Sequence, residues 1–163
     1  VTPFDSPVQY TRRIKKGGDF TVICNSYMLS EVLNAQAHLS KFKVELDIVE
    51  VSSPSDIDWS QLIESVQKTK KCLITDIGHL YCSLASEIAQ RLYTECFNEL
   101  TMPIKTLGLP DYPEPTSYGL TQNYYPTANT IINYIAESLG INIALLDKSN
   151  QHDVPGEWFK GPF

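Results

Sequence analysis

Short apolar runs rich in β-branched residues alternate along this chain with longer segments of helical periodicity. The first run, Phe20–Cys24, has the composition of a buried strand, and apolar residues then recur at helical spacing, for example at Met28 and Val32. The predicted strands are 20–24, 44–51, 72–76 and 103–107, and the predicted helices are 27–40, one from Trp59 to the lysines near 70, 83–97 and 127–139. This alternation indicates β-α-β units and a mainly parallel sheet covered on both faces, which places the chain in the α/β class.

Charged residues modify this pattern at two places. In the second predicted strand, Glu45, Asp47 and Glu50 alternate with apolar residues, so one face of that strand is expected to contact water. A basic run at 12–16 precedes the first predicted strand, and we interpret it as a solvated linker. The segment 77–81 after the third predicted strand is interpreted as a loop.

The length and composition fit one globular domain. The chain has 163 residues, of which 42% are hydrophobic and 20% charged. Its apolar runs reach about five residues against about 20 for a membrane helix, so no membrane span is expected. The predicted organisation is a linker at 1–16, an α/β domain at 17–140 and a C-terminal tail at 141–163. Because the first residue is Val1, we expect a processed protein or a piece of a longer one.

The charge balance argues against nucleic-acid binding. There are 13 Lys and Arg residues against 19 Asp and Glu residues, a formal net charge of −6. Proteins that bind the phosphate backbone need a clustered basic face, which this balance disfavours.

The four cysteines show no paired spacing. Cys24, Cys72 and Cys96 lie in apolar segments, where cysteine usually behaves as a small buried hydrophobe, and Cys82 lies in a loop. Unpaired thiols of this kind suit a reducing compartment, so we expect a cytoplasmic protein or one of a mitochondrial or other organelle matrix.

Familiar nucleotide and hydrolase motifs are missing. No glycine follows the first predicted strand, where a G-x-G-x-x-G fingerprint would lie, and neither a P-loop nor a G-x-S-x-G sequence occurs. A dinucleotide site is therefore disfavoured, and a P-loop is excluded.

Two groups of polar residues are candidate sites. Asp76, His79 and Cys82 could ligate zinc, or Cys82 could act as a nucleophile, but a strand end followed by an ordinary loop explains them more simply. Asp111 and Glu114 frame prolines in a predicted loop. Three roles remain possible for this pair: acid-base catalysis, a structural turn or a partner-binding surface. The nearby tyrosines at 118, 124 and 125 are interpreted as core or interface filling.

Several segments, in their order and spacing, carry a resemblance that spans roughly residues 16–139. They are 17–23, 32–35, 46–51, 54–56, 63–69, 84–88 and 111–115. The chain resembles the C-terminal domain of the transketolase group. Within that group it is most similar to the β subunit of E1 components of 2-oxo-acid dehydrogenases of the pyruvate type. The resemblance implies a three-layer α/β/α sandwich with a mostly parallel, mixed sheet of about five strands.

The resemblance also carries functional expectations. It implies a parent enzyme that uses thiamine diphosphate and Mg and is an oxidoreductase or a transketolase-type transferase. The cofactors bind to other domains, so this chain alone is expected to be inactive, with no catalytic, cofactor or metal residue. Expected partners are a second copy of the chain or an E1 α subunit, and the acyltransferase core subunit. Asp111, Glu114 and Phe163 are the residues expected to bind that core.

Two departures from the family pattern accompany the resemblance. The family usually has a glycine pair where this chain has Cys82 and Ser83, and often a glutamate pair where it has Thr75 and Asp76. The alternative function is a stand-alone protein-interaction module that kept the fold without an enzymatic role.

Overall fold

The computed structural model describes residues 10–117 and 124–146 of the chain. This part forms a five-stranded sheet with four α-helices and one short 3-10 helix. In chain order the elements are β1 Thr11–Lys15, β2 Phe20–Cys24, α1 Met28–Leu39, the 3-10 helix Ser40–Phe42, β3 Leu46–Val51, α2 Trp59–Thr69, β4 Cys72–His79, α3 Leu84–Cys96, β5 Lys105–Leu109 and α4 Ala128–Leu139. The α/β class and the mixed five-stranded sheet are confirmed.

The strand order of the sheet is β1-β3-β2-β4-β5. Strands β2, β3, β4 and β5 run parallel to one another, and β1 pairs with β3 in the antiparallel direction. The chain therefore moves from β2 to one side of the sheet and then returns to β4 on the other side. This reversal creates a crevice between the carboxyl ends of β2 and β4, which is where open α/β sheets generally bind ligands.

The helices cover both faces of the sheet and form two separate cores. On one face, α1 and α4 pack over strand residues such as Phe20, Leu46 and Leu73. On the other face, α2 and α3 pack over a cluster that includes Val49 and Ile74. Since each central strand contributes to both clusters, the predicted three-layer sandwich is confirmed.

The first and last helices are joined by a buried carboxylate. Glu31 of α1 is 8% exposed, and its Oε2 accepts a hydrogen bond from the backbone N–H of Ala128 at 2.5 Å. Ala128 is the first residue of α4, so the carboxylate accepts from one of the free N–H groups at that helix end. Its negative charge also interacts favourably with the positive end of the helix dipole. The Thr127 side chain caps the same end through the N–H of Thr130.

The basic run that we predicted as a linker is part of the sheet. Residues 12, 13 and 15 pair with β3, and Arg12 Nη2 lies 2.5 Å from Glu50 Oε2. Arg13 Nε lies 3.1 Å from Asp47 Oδ1. The prediction that one face of β3 contacts water is also wrong, because β1 and α2 cover the acidic side chains of this strand. Asp47 is fully buried and Glu50 is 7% exposed. The cations of one strand neutralise the anions of the next, which lets both strands stay in the sheet.

Strand β4 extends into the segment predicted as a loop. It continues to His79, which pairs with Leu109 after an irregularity in the register beyond Thr75. Gly108 makes this pairing possible, since a Cβ at that position would lie 2.7 Å from the carbonyl oxygen of Gly78. The longer strand therefore depends on a glycine in its neighbour.

Among the described residues, none of the helices combines the length and the apolar character needed to cross a lipid bilayer.

Candidate functional site

The crevice between β2 and β4 is filled by the protein's own side chains. Asn25, which follows β2, donates a hydrogen bond from Nδ2 to Asp76 Oδ1 at 3.1 Å. The same oxygen accepts a hydrogen bond from the N–H of Gly78 at 3.0 Å, and Asp76 is 8% exposed. The cavity that remains is about 10 Å³, roughly the space of one water molecule. A nucleotide-sized cofactor does not fit at this position.

Asp76, His79 and Cys82 do not form a common site. The Nδ1–H of His79 donates to the carbonyl oxygen of Pro110 at 2.9 Å, while Asp76 faces Asn25. Within residues 10–117 and 124–146, no group of three or more His, Cys, Asp or Glu side chains could hold a metal ion. Asp76 and His79 belong to β4, so the prediction of a loop histidine is wrong, and of the three residues only Cys82 lies in the turn before α3.

Cys82 occupies a backbone conformation that favours glycine. Its φ is +52°, in the left-handed region, and Ser83 directly after it caps α3 by accepting a hydrogen bond from the N–H of Ser86. The family resemblance has a glycine pair at these two positions. A left-handed φ is easy for glycine and strained for other residues, so Cys82 holds this turn with a strained backbone.

The four thiols are free and fall into two groups. Cys24, Cys72 and Cys96 are buried, as predicted, and Cys82 is exposed. Burial raises the pKa of Cys24 to about 12, and it also raises the pKa of Cys72 and of Cys96. A raised pKa keeps a thiol protonated and unreactive at neutral pH.

We therefore expect Cys82 to react alone in the folded protein. A disulfide reagent such as dithionitrobenzoate should modify one thiol rapidly at pH 8, with the other three reacting only after denaturant is added. In the Cys82→Ser variant the rapid phase should disappear. Rapid modification of two or more thiols in the native wild-type chain would contradict this assignment.

The loop after β5 carries the predicted partner-binding residues on the protein surface. Asp111 and Glu114 are both exposed, and the phenol of Tyr125 donates a hydrogen bond to Glu114 Oε1. This hydrogen bond, together with burial and the nearby carboxylate, raises the pKa of Tyr125 to about 12. Phe163, the third predicted partner-binding residue, and Tyr118 lie outside the described residues.

Three tyrosines pack together beside this loop, and we call them the tyrosine cluster: Tyr112, Tyr124 and Tyr125. The ring centroids of Tyr112 and Tyr124 are 5.3 Å apart, those of Tyr124 and Tyr125 are 5.2 Å apart, and both pairs meet edge to face. Tyr124 is 2% exposed, and its hydroxyl donates to the backbone carbonyl of Tyr112 at 3.0 Å. The buried ring thus holds two exposed rings in place.

A groove of about 370 Å³ lies between the tyrosine cluster and β5, and we call it the tyrosine groove. Leu80, Leu109 and Pro110 contribute apolar surface to it, and Thr130 of α4 contributes a hydroxyl. Sequence reasoning singled out Tyr124 and Tyr125 but interpreted them as core or interface filling, and it gave Tyr112 no role of its own. The missed signal is the position of the tyrosines beside the acidic loop. This position becomes visible only when the locations of β5 and α4 in the fold are known.

The sequence of this chain matches a protein family and several enzyme subunits. The family model described as "Transketolase, C-terminal domain" matches residues 9–131. The β subunit of acetoin:2,6-dichlorophenolindophenol oxidoreductase from Bacillus subtilis is 31% identical over 126 residues, which are 77% of this chain and 37% of that subunit. The β subunit of the pyruvate dehydrogenase E1 component from Rhizobium meliloti is 25% identical over 132 residues, 81% of this chain and 29% of the subunit.

The fold is found in a solved structure as well. A structure described as split-gene transketolase, inactive β4 tetramer, superposes with a TM-score of 0.67 at 19% identity, covering 86% of this chain and 45% of the other. The chain thus spans less than half the length of each of these three proteins. The family model covers most of the chain and includes all five strands and the first three helices. The chain therefore belongs to the transketolase C-terminal domain family.

Proposed function

We propose that this chain is the non-catalytic C-terminal domain of a thiamine-diphosphate-dependent enzyme of the transketolase or 2-oxo-acid dehydrogenase E1 β type. The observation that carries the non-catalytic role is the crevice at the carboxyl edge of β2 and β4. Asn25 and Asp76 fill this position with a mutual hydrogen bond. Similarity to β subunits of acetoin and pyruvate enzymes supports the parent type.

The crevice between β2 and β4 does not fit thiamine diphosphate with its Mg ion. The crevice retains about 10 Å³, and the described part of the chain has no acidic cluster that could hold a divalent ion. The cofactors of the parent enzyme would therefore be bound by other domains. The parent would oxidise a 2-oxo acid or transfer a ketol group.

The role proposed for this domain is assembly and docking. It would pair with a second copy or with an E1 α subunit, and its acidic loop would bind the acyltransferase core subunit. A reducing compartment, the cytoplasm or an organelle matrix, suits its four free thiols. The division into a domain at 17–140 and a tail at 141–163 stays a prediction, whereas residues 11–15 belong to the sheet.

Two experiments test the parent assignment. Calorimetric titration of this chain with thiamine diphosphate and Mg should show no binding. Clear binding with a micromolar Kd would contradict the proposal. The reading frame upstream of Val1 should encode roughly 180 residues of a pyrimidine-binding α/β domain, the size of one further domain. A start codon close to Val1 would instead favour the stand-alone interaction module.

The docking role predicts a loss of affinity for the acyltransferase core. Asp111→Lys combined with removal of Phe163 should raise the Kd by about tenfold, because it reverses one exposed charge and deletes an aromatic contact. Titration of the core subunit at low and high salt measures this change. Asp56→Lys, at another exposed loop carboxylate, is the matched control. An unchanged Kd in the double variant, or an equal loss in the control, would argue against docking at this loop.

A further inference from the structure

We propose that the tyrosine groove binds an extended, proline-containing segment of a partner protein, and that an arginine of this segment pairs with Glu114. The proposal deepens the docking role given above and rests on it for the existence of a partner. It is carried by three observations: the exposed tyrosine rings, the sign of the charge beside them and the apolar floor along β5.

The rings present a rigid surface that suits proline. Tyr112 is 52% exposed and Tyr125 is 38% exposed, while the buried Tyr124 between them fixes both rings through edge-to-face contacts. Grooves lined by aromatic rings recognise proline-rich segments, since an extended proline helix is already ordered and loses little entropy on binding. The apolar floor made by Leu80, Leu109 and Pro110 gives the pyrrolidine rings further contact surface.

The charge beside the groove selects a cation. Asp111 and Glu114 are exposed, and no Lys or Arg is among the residues that line the groove in the described part of the chain. Glu114 receives a hydrogen bond from the Tyr125 hydroxyl, and a carboxylate has capacity for several. An arginine guanidinium can pair with this carboxylate in a bidentate way and stack on a tyrosine ring at the same time. Arg91 makes the stacking contact within this chain, with its Cζ 4.2 Å from the centre of the Trp59 ring.

The groove is at the edge of the sheet, where an extended segment can lie. Strand β5 is hydrogen-bonded to β4 on one side and is the last strand of the sheet. Leu107 and Leu109 on this strand are half-buried, so they keep apolar surface for a partner. A volume of about 370 Å³ holds a few side chains, which fits a short linear segment better than a folded domain.

The test is a titration of the full chain with three synthetic peptides of roughly ten residues. The first peptide alternates proline with small residues and has one central arginine. In the second peptide citrulline, a neutral isostere, replaces the arginine, and in the third alanine replaces every proline. Calorimetry and tyrosine fluorescence report the Kd. We expect saturable binding of the first peptide and a Kd raised about tenfold for each of the other two.

Variants locate the contact. Tyr112→Ala should abolish binding, while Glu114→Gln should bind the arginine and citrulline peptides equally. Tyr81→Ala, at an 80% exposed tyrosine outside the groove, should bind as the wild type does. The backbone carbonyl of Tyr112, which holds Tyr124, is kept in Tyr112→Ala, so this variant is expected to fold.

Four results of the peptide titrations would overturn the proposal, and one result on self-association would do so as well. They are absence of saturable binding, equal Kd values for arginine and citrulline in the wild type, an equal loss in Tyr81→Ala, and binding that emerges only when Trp158 and Phe159 are both replaced by serine. The last result would mean that the chain's own C-terminal segment is the occupant. Concentration-dependent self-association that Tyr112→Ala removes would likewise assign the groove to a second copy. None of these results depends on the docking titration with the acyltransferase core, so the two proposals fail separately.

Discussion

Asp47→Ala is expected to lower the free energy of unfolding by about 3–5 kcal/mol. Asp47 is fully buried in β3, with Arg13 Nε 3.1 Å from its Oδ1 and Lys68 Nζ 3.3 Å from its Oδ2. The Arg13 side chain is only 11% exposed, so loss of the carboxylate removes its buried counter-charge and leaves the exposed Glu64 as its carboxylate partner. Urea denaturation, followed by circular dichroism, measures the change.

The control for Asp47 is provided by the same arginine. Arg13 Nη1 also contacts Glu64 Oε1 at 3.1 Å, but the Glu64 side chain is 69% exposed. An exposed ion pair contributes little, so Glu64→Ala should lower the free energy of unfolding by about 1 kcal/mol or less. Combining Asp47→Ala with Arg13→Met should restore part of the lost stability, because it removes a cation that has lost its buried counter-charge. Equal effects of Asp47→Ala and Glu64→Ala would show that burial does not strengthen this contact.

Gly17→Ala is expected to destabilise the fold by about 3 kcal/mol or more. A Cβ on Gly17 would lie 2.3 Å from the carbonyl oxygen of Glu45 and 2.3 Å from the carbonyl carbon of Leu46. Both are backbone atoms at the start of β3, so no side-chain rotation relieves the clash. Overpacking of this kind usually costs about 1–3 kcal/mol, and here a whole strand must shift. Thermal and urea denaturation of the variant measure the loss.

Gly18→Ala is the matched control for Gly17→Ala. A Cβ at Gly18 meets no atom within 4 Å, and the N–H groups of Gly18 and Asp19 both donate to the carbonyl oxygen of Glu45 at 3.1 Å. The substitution keeps these hydrogen bonds, so stability should change by less than about 0.5 kcal/mol. Similar losses in the two variants would mean that flexibility of the turn, and not close approach to β3, requires the glycines.

The strongly periodic elements could be predicted from the sequence. The apolar run Phe20–Cys24 forms β2 with the predicted ends, and the helical stripe between 83 and 97 forms α3 at Leu84–Cys96. These elements bury continuous apolar surface, so their local pattern and their tertiary position agree. Strand β5 begins at Lys105 and not at the predicted Pro103, and proline has no N–H to donate to the sheet.

Strand β1 was missed because its stability comes from its neighbour. Thr11–Lys15 has one apolar residue among three cations, which locally indicates a solvated segment. The partners of Arg12 and Arg13 are Glu50 and Asp47, more than thirty residues away. The basic run could have been matched with the alternating acids of β3 as a sign that the two segments pair. That match is informative only if the two strands are already known to be neighbours.

The candidate site was predicted in part. The exposed acidic loop at Asp111 and Glu114 was expected on the basis of its prolines, and the structure places both residues on the surface. The tyrosine groove could not be derived, because Leu80, Leu109 and Tyr125 come from three separate segments. Only the register of β5 against β4 and the position of α4 bring these segments together.

The hydrogen bond between Glu31 and Ala128 closes a long loop of the chain, and loop closure costs conformational entropy during folding. It joins residues 97 positions apart, and the entropy of closing such a loop amounts to about 4 kcal/mol from the logarithmic dependence on length. The layer formed by α2 and α3, in contrast, is drawn from a contiguous stretch between β3 and β5. The face covered by α2 and α3 is therefore built mainly from contacts within one stretch of chain, whereas the other face is complete only when α4 has packed against α1.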